Sequence, residues 1–322
     1  MNEYLNDIKE LSKRIENANS VCLISHLNPD GDSLGSLLGF GLALRKKYGN
    51  KIYMAIPDNV PAKYSFLPGN EEIMNLDDIG KQELYILLDC SDIYRIGENR
   101  CIDANKIINI DHHITNDKYG SINIINPYAS STGEMVLSIL ESMKLDIDND
   151  IAINLYVAIS TDTGSFKYDN TSSSTHIAVS KLLEQNINIG EINTKLYQNK
   201  PFEKVMLFID AVVNIEFYLD NKVGMVTVPL DLIDKWGGTT EYVDGIVEFI
   251  RDIDCVEVAC VLKETENNIF KLSFRSKTYV DVSKIATIYG GGGHAKASGC
   301  TITGEQQDIK KDLLEKIKIH LR

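Results

Sequence analysis

The feature that most constrains this chain is a set of short apolar runs that each end on an acid or a histidine. Ser20 to Ser25 leads into His26, Leu84 to Leu88 ends on Asp89, and Lys106 to Ile110 ends on Asp111-His112-His113. A further run, Lys51 to Ile56, has the same texture. Runs that are apolar throughout, rather than alternating, describe strands buried on both faces. Between them lie helical patterns, such as Leu34, Leu37, Leu38, Leu42 and Leu44 after Ser33. Alternating buried strands and helices predict an α/β domain, doubly wound around a mainly parallel sheet. Ligands of such sheets bind at the carboxyl ends of the strands, where these polar residues fall.

Helices are also expected over 2–17, 132–143, 148–161, 175–186 and 189–198. Pro201 punctuates the chain, and an amphipathic segment, Phe202 to Asn214, follows. The texture then changes. Ile215 to Leu219, the turn Asp220-Asn221 and Lys222 to Val228 read as a hairpin. A helix (240–251), strands (255–263 and 269–275), a helix (281–288), a glycine run and a last helix (305–320) complete a smaller α/β domain. The expected organisation is a catalytic domain over 1–190, a helical linker over 191–214 and a substrate-binding domain over 215–322. At 322 residues the chain has the length for two such cores.

The loop Ser25-His26-Leu27-Asn28-Pro29-Asp30-Gly31-Asp32-Ser33 sets His26, Asp30 and Asp32 within seven residues, between a buried strand and a helix. Asn28-Pro29 and Asp30-Gly31 favour a tight turn, and Asp32 or Ser33 is a candidate helix cap. Asp89 and Asp111-His112-His113 add two further strand ends. Asp162 closes an apolar helix just before Gly164. Four clustered carboxylates (Asp30, Asp32, Asp89 and Asp162) would repel one another without cations, whereas two divalent ions balance their charge. Mixed oxygen and imidazole donors without thiolate favour Mn²⁺, with Mg²⁺, Co²⁺ or Fe²⁺ as substitutes.

Composition narrows the partners. The chain has 33 Lys and Arg against 46 Asp and Glu, a net charge of −13. That field repels long duplex DNA or RNA and favours small anionic substrates at a metal centre. The six cysteines show no paired spacing and read as reduced thiols, mostly in the core. No apolar run approaches a membrane span, and the start of the chain lacks a signal-peptide layout, so a cytoplasmic protein is expected.

The ordered set His26-x-x-x-Asp30-x-Asp32, Asp89, Asp111-His112-His113 and Asp162 resembles the DHH phosphoesterases. Phe274-Arg275-Ser276 and Gly290-Gly291-Gly292-Gly293-His294 are similar to the DHH-associated domain of the bifunctional oligoribonuclease and phosphatase branch. The resemblance implies that His26 and Asp30 hold one ion, that Asp32, His112 and Asp162 hold the other, and that Asp89 bridges them. It implies that Asp111 orients a histidine and that His113 faces the substrate phosphate. Hydrolysis would proceed by metal-assisted attack of water on phosphorus.

Packing does not account for four consecutive glycines, and free backbone N–H groups can cradle an anion. His294 lies beside them, and Arg275 ends an apolar strand with a guanidinium suited to phosphate. The resemblance makes Arg275, His294 and Gly291 to Gly293 substrate contacts. The implied substrates are short single-stranded RNA, cleaved to mononucleotides, and 3′-phosphoadenosine 5′-phosphate (pAp), converted to AMP. A phosphodiesterase for cyclic di-AMP or the linear dinucleotide pApA, and a nucleotide sensor without turnover, are the competing readings. The resemblance also implies a homodimer.

Overall fold

A computed structural model describes residues 4–97, 100–238 and 240–322, which form two compact units, Met1–Asn199 and Lys200–Arg322. Asn2 and Glu3, at the start of the helix expected over 2–17, lie outside the described residues.

The first unit runs α1 (Leu5–Asn17), β1 (Val21–Ile24), α2 (Gly31–Tyr48), β2 (Ile52–Ile56), β3 (Ile73–Asn75), β4 (Leu84–Leu88), β5 (Ile107–Asp111), β6 (Ile122–Ile125), α3 (Thr132–Ser142), α4 (Asn149–Asp162), α5 (Ser173–Leu183) and α6 (Ile189–Tyr197). Its six strands are all parallel, in the order β3-β2-β1-β4-β5-β6. Val21 of β1 lies opposite Ile52 on one side and Leu84 on the other. The chain therefore winds outward from β1 in one direction and from β4 in the other. The crevice at that reversal is where the loops after β1 and β4 part. His26 follows β1 and Asp89 follows β4, so the topology alone brings them to one place.

Alternation along the strands supplies both faces of the sheet. Leu23 points into the large core with Leu34, Leu37, Leu38, Met135 and Leu155. Cys22 and Ile24 point the other way, to Tyr85, Leu87, Cys90 and Ile96. Loops and short 3₁₀ turns, including Leu76–Asp78 and Ile93–Ile96, cover that second face. Helices α2 and α4 touch backbone to backbone: a Cβ on Gly35 would come 2.3 Å from the Asn154 main-chain carbonyl. The helix cap of α2 is Asp30, whose carboxylate accepts from Ser33 N while the Ser33 hydroxyl accepts from Asp30 N, rather than the expected Asp32 or Ser33. Strands β3 and β6 are not expected from the sequence, because each is short and only partly buried and so lacks the fully apolar run that marks β1.

The second unit runs α7 (Phe202–Val212), β7 (Glu216–Tyr218), β8 (Val223–Val228), α8 (Leu230–Lys235), α9 (Ile246–Asp252), β9 (Val258–Glu266), β10 (Ile269–Ser276), α10 (Val282–Ile288), β11 (Gly292–His294), β12 (Ala297–Thr303) and α11 (Gln306–His320). Its sheet has the order β11-β12-β10-β9-β8-β7, antiparallel except for the parallel β8–β9 pair. Phe270, Leu272 and Phe274 of β10 pack with residues of α10 and α11. Val261 and Ala259 of β9 face residues of α7 and α9 on the opposite side. The helix expected over 240–251 is interrupted: Gly245, at φ +97°, separates a 3₁₀ turn (Thr240–Val243) from α9.

The stretch read as a linker over 191–214 is divided between the two cores. Ile192 and Leu196 of α6 are buried in the first, and Leu207 and Ala211 of α7 in the second. Four cysteines, Cys22, Cys90, Cys260 and Cys300, are buried, and all six are free thiols. Among the described residues no helix is long and apolar enough to cross a membrane.

Candidate metal centre

Each acid and histidine singled out in the first unit arrives at the same crevice. His26 is buried, and its Nδ1 lies 2.7 Å from the Leu27 carbonyl, which leaves Nε2 facing inward. That atom is 3.5 Å from Asp89 Oδ2 and 4.0 Å from Asp30 Oδ1. His112 Nε2 sits 3.7 Å from Asp32 Oδ2, 3.7 Å from Asp89 Oδ1 and 3.6 Å from Asp162 Oδ2. Three triads result, His26–Asp30–Asp89, Asp32–His112–Asp162 and Asp89–His112–His113, each with its donor atoms within 4.8 Å of one another. The two oxygens of Asp89 face different histidines, the arrangement a carboxylate shared between two ions requires.

The backbone at Asp89 is strained to achieve this. Its φ is +59°, a left-handed conformation that costs a residue with a Cβ about 1–2 kcal/mol. The amide of Asp89 donates to Ile110 O of the next strand at 3.0 Å, which fixes the turn.

Burial and mutual repulsion leave a clear electrostatic signature. Burial pushes the Asp32 carboxyl well above its ordinary range, and Asp89, Asp162 and Asp30 push it further. Burial also lifts Asp162 to about 6, against the pull of His112, with Asp89 and Asp30 adding to the rise. Burial alone would lower the pKa of His26, but its contact with Asp89 reverses the sign and raises it. Carboxyl groups and a histidine whose proton affinity is raised without a cation fit a divalent ion, which would displace those protons on binding. The donor set is oxygen and imidazole throughout, so the residues fit Mn²⁺ or another hard or borderline cation.

Asp111 stands behind the cluster, while His113 Nδ1 lies 3.6 Å from Asp89 Oδ1. Asp111 is fully buried and accepts from the His112 and His113 amides at 2.8 and 3.2 Å and from Asn116 Nδ2 at 2.6 Å. Its Oδ1 also lies 2.7 Å from His113 Nδ1. The histidine it orients is therefore His113 rather than His112, whose Nδ1 faces Ala129 O at 3.4 Å. The Asp111 contact raises His113 to about 9, against the opposing effect of burial. Asp111 itself is held low: burial would raise it, and His113 outweighs that.

The sequence places the start of α3 at 132 but does not show its role at the site. Thr132 N and Gly133 N donate to the two oxygens of Asp32 at 2.7 and 2.9 Å, and the Thr132 hydroxyl donates to Asp89 Oδ1 at 3.0 Å. Buried Glu134 fixes this turn by accepting from Ser130 N, the Ser130 hydroxyl, Ser174 Oγ and Thr175 Oγ1. Ser131 caps the helix through Glu134 N. The signal in the sequence was the run Ser130-Ser131-Thr132-Gly133-Glu134, a helix start whose small residues allow close approach. A Cβ on Gly133 would meet Ala158 Cβ at 2.4 Å.

The residues singled out in the second unit lie on one sheet. Arg275 pairs with Ala297, and Ala297 pairs with His294, so Arg275 and His294 share a sheet face two strands apart. Arg275 donates from Nε and Nη2 to Glu248 Oε1 at 3.0 and 2.9 Å, while His294 is exposed. The glycine run is not a free loop. Gly292 and Gly293 belong to β11, and packing does require two of the glycines: a Cβ on Gly291 would lie 2.1 Å from Gly299 O, and one on Gly293 would lie 2.6 Å from Ala297 O. Because β11 is an edge strand, one row of its backbone groups stays outside the ladder.

Comparison with known proteins agrees with these two units. The DHH family, N-terminal domain, matches residues 20–159, and the DHHA1 domain matches residues 221–319. The bifunctional oligoribonuclease and PAP phosphatase NrnA of Bacillus subtilis is 29% identical over 317 residues, covering 97% of this chain and 99% of that protein. Its namesake in Thermus thermophilus is 28% identical over 307 residues, covering 95% and 90%. The crystal structure of an exopolyphosphatase-related protein from Bacteroides fragilis superposes with a TM-score of 0.89 at 27% identity, over 97% of this chain and 96% of that one.

Proposed function

Given that this chain belongs to the DHH family of phosphoesterases and carries a DHHA1 domain, we propose that it hydrolyses short oligoribonucleotides to mononucleotides and converts pAp to AMP; its relatives are named bifunctional oligoribonuclease and PAP phosphatase. The observation that carries the reading is the set of triads around Asp89. His26 and Asp30 would hold one ion, Asp32, His112 and Asp162 the other, with Asp89 shared. Two Mn²⁺ ions bound there would polarise the phosphoryl group and supply an acidic water near neutral pH.

The chain's own residues do the rest of the positioning. Asp32 and Asp89 are kept in place by the N-terminus of α3. With Nδ1 tied to Asp111, His113 presents its other ring edge, and its side chain is 41% exposed, which suits contact with a phosphate oxygen. In the second unit Arg275 and His294, with the backbone of Gly291 to Gly293, are assigned to the nucleotide end of the substrate. The Glu248 carboxylate now shares the Arg275 guanidinium with whatever anion binds. The partners on this reading are single-stranded RNA fragments, dinucleotides or pAp, met in the cytoplasm.

The test is turnover of a labelled RNA pentamer, pApA, cyclic di-AMP and pAp by the purified protein in Mn²⁺. Shortening of the pentamer together with phosphate release from pAp supports the proposal. Activity confined to the dinucleotides would replace it with a dinucleotide phosphodiesterase. Binding without turnover would make the chain a nucleotide sensor.

A further inference from the structure

Behind the metal centre lies a polar network built from the loop after β5. Asn116 sets its side-chain nitrogen against three oxygens: Asp111 Oδ2 at 2.6 Å, Asn109 Oδ1 at 2.8 Å and Cys90 O at 3.1 Å. We propose that Asn116 is a positioning residue for hydrolysis: it fixes the Asp111 carboxylate, which in turn holds His113 at the reacting phosphate. This rests on the function proposed above and on the contact assigned there to His113.

Charge and geometry single out one of the three contacts. The Asn116 nitrogen carries two hydrogens, so it does not serve all three acceptors at once. Its contact with Asp111 is the shortest and the only one to a charged group, which makes it the strongest. Asp111 Oδ1 is already occupied by His112 N, His113 N and His113 Nδ1, at 2.8, 3.2 and 2.7 Å. For Oδ2, Asn116 is the only donor among the described residues. Asp111 is fully buried, so bulk solvent does not take the place of a lost donor. Without Asn116 the carboxylate must turn to pair Oδ2, and the oxygen that faces His113 turns with it.

That turn reaches the reaction through one ring. A carboxylate only accepts, so His113 donates through Nδ1 and keeps Nε2 for a phosphate oxygen. The same Nδ1 lies 3.6 Å from Asp89 Oδ1, which places the ring between Asp111 and the shared carboxylate. A misplacement of about 1 Å in such a group is enough to cost roughly 100-fold in rate.

The surrounding chain holds the Asn116 amide one way round. Its Oδ1 accepts from Lys118 N at 2.8 Å, and Asn116 N donates to His113 O at 3.2 Å. Exchanging its nitrogen and oxygen would set an oxygen against three acceptors and an N–H against the Lys118 N–H. Asn109, fully buried, is fixed in turn, because its Nδ2 donates to Tyr119 Oη at 2.9 Å and to Cys90 O at 3.1 Å. Tyr119 Oη donates to Cys90 O at 3.0 Å, and Asp117 N to Ser91 O at 2.9 Å. The loop after β5 is thereby tied to the segment that follows Asp89. A polar network whose members are all paired is rigid, which is what positioning requires.

The experiment measures kcat, KM, Mn²⁺ binding and melting temperature for the full chain as wild type, Asn116→Ala, His113→Ala and the double variant, with pAp and pApA as substrates. Asn116→Ala is expected to lower kcat roughly 10- to 100-fold, the usual loss when the partner that orients a histidine is disturbed. KM and Mn²⁺ affinity should stay within about threefold, because the lost positioning acts in the transition state. In the His113→Ala background the same substitution should change kcat by less than about threefold, since the residue it acts through is gone. A fall of similar size in both backgrounds overturns the proposal and makes the role of Asn116 purely structural. Weakened Mn²⁺ binding that accounts for the lost turnover also overturns it, because the effect then runs through Cys90 to Asp89. Where Asn116→Ala melts below the assay temperature, Asn116→Ser, which leaves a smaller void, takes its place in the same cycle.

A second readout does not need turnover. In Mg²⁺-loaded protein labelled with ¹⁵N-histidine, the Nδ1 proton that His113 shares with Asp111 is identified by its loss in His113→Gln. Asn116→Ala should shift or abolish that resonance. An unchanged resonance overturns the proposal, even where His113→Ala is too slow to assay. A wild type inactive on both substrates would instead defeat the proposed function, and the resonance would then judge the Asn116 contact by itself.

Discussion

Replacing Thr132 by valine removes one hydroxyl and almost nothing else. Thr132 and Asp89 are both buried, and their hydrogen bond is 3.0 Å long. A hydrogen bond to a charged group contributes about 1.5–3 kcal/mol, so its loss corresponds to roughly 10- to 150-fold in an equilibrium that needs Asp89 ionised. Metal binding is such an equilibrium, and losses of about 10–100-fold are usual when a group orienting a ligand is removed. The structure also says where the loss should fall. Thr132 bonds Oδ1, the oxygen facing His112, while Oδ2 faces His26. Titrating Mn²⁺ into metal-stripped protein should therefore show one equivalent weakened at least tenfold and the other much less. Thr132→Ser keeps the hydroxyl and should bind within about threefold of wild type. The backbone donors to Asp32 survive in both variants, so the fold of the α3 turn is retained. Two equivalents bound as tightly in Thr132→Val as in wild type would refute the idea that this hydroxyl positions the shared carboxylate.

Three other outcomes follow from the same structure. Asp89→Asn keeps a residue that tolerates the left-handed backbone and removes a buried charge; it should abolish tight Mn²⁺ binding while the metal-free melting temperature stays level or rises, and a clear drop would contradict the repulsion described here. Gly35→Ala drives a Cβ against the Asn154 carbonyl and should cost about 1–3 kcal/mol in urea unfolding, an overpacking penalty that an unchanged midpoint would disprove. Glu257, 6% exposed, accepts from the Thr278, Tyr279 and Val280 amides and the Thr278 hydroxyl. Burial alone would raise its pKa, but these donors lower it overall. A depressed carboxyl stabilises the fold above its unfolded pKa of about 4.3 and loses that contribution as pH falls through the folded value. Glu257→Gln should thus be less stable than wild type at pH 6, with the gap narrowing towards pH 3; a gap that widens with acid would reverse the assignment.

The clustering of acids and histidines was legible because these residues stand at strand ends. An apolar run that stops on Asp89, or on Asp111-His112-His113, states both its burial and where its polar residues emerge. Asp162 could be read because its helix is apolar and ends there. The α3 cradle was not legible, since its donors to Asp32 are backbone amides and any helix start looks alike until its neighbours are placed. The glycine run misled for a related reason. Its close approaches at Gly291 and Gly293 are to β12, a strand whose position the local sequence does not give. Arg275 and His294 share a sheet face two strands apart, a proximity that only the register of β10, β11 and β12 gives, and the Glu248 partner of Arg275 comes from a helix distant in sequence. Short edge strands such as β3 carry too few residues for a pattern to form.

On the proposed mechanism two cations, joined through Asp89, are needed for phosphoester hydrolysis. This requirement is tested most directly by adding Mn²⁺ stepwise to metal-stripped protein and following phosphate release from pAp beside metal bound per chain. Little activity is expected at one equivalent, and full activity only as the second is filled. Full turnover at a single equivalent, or in Asp89→Asn, would contradict it.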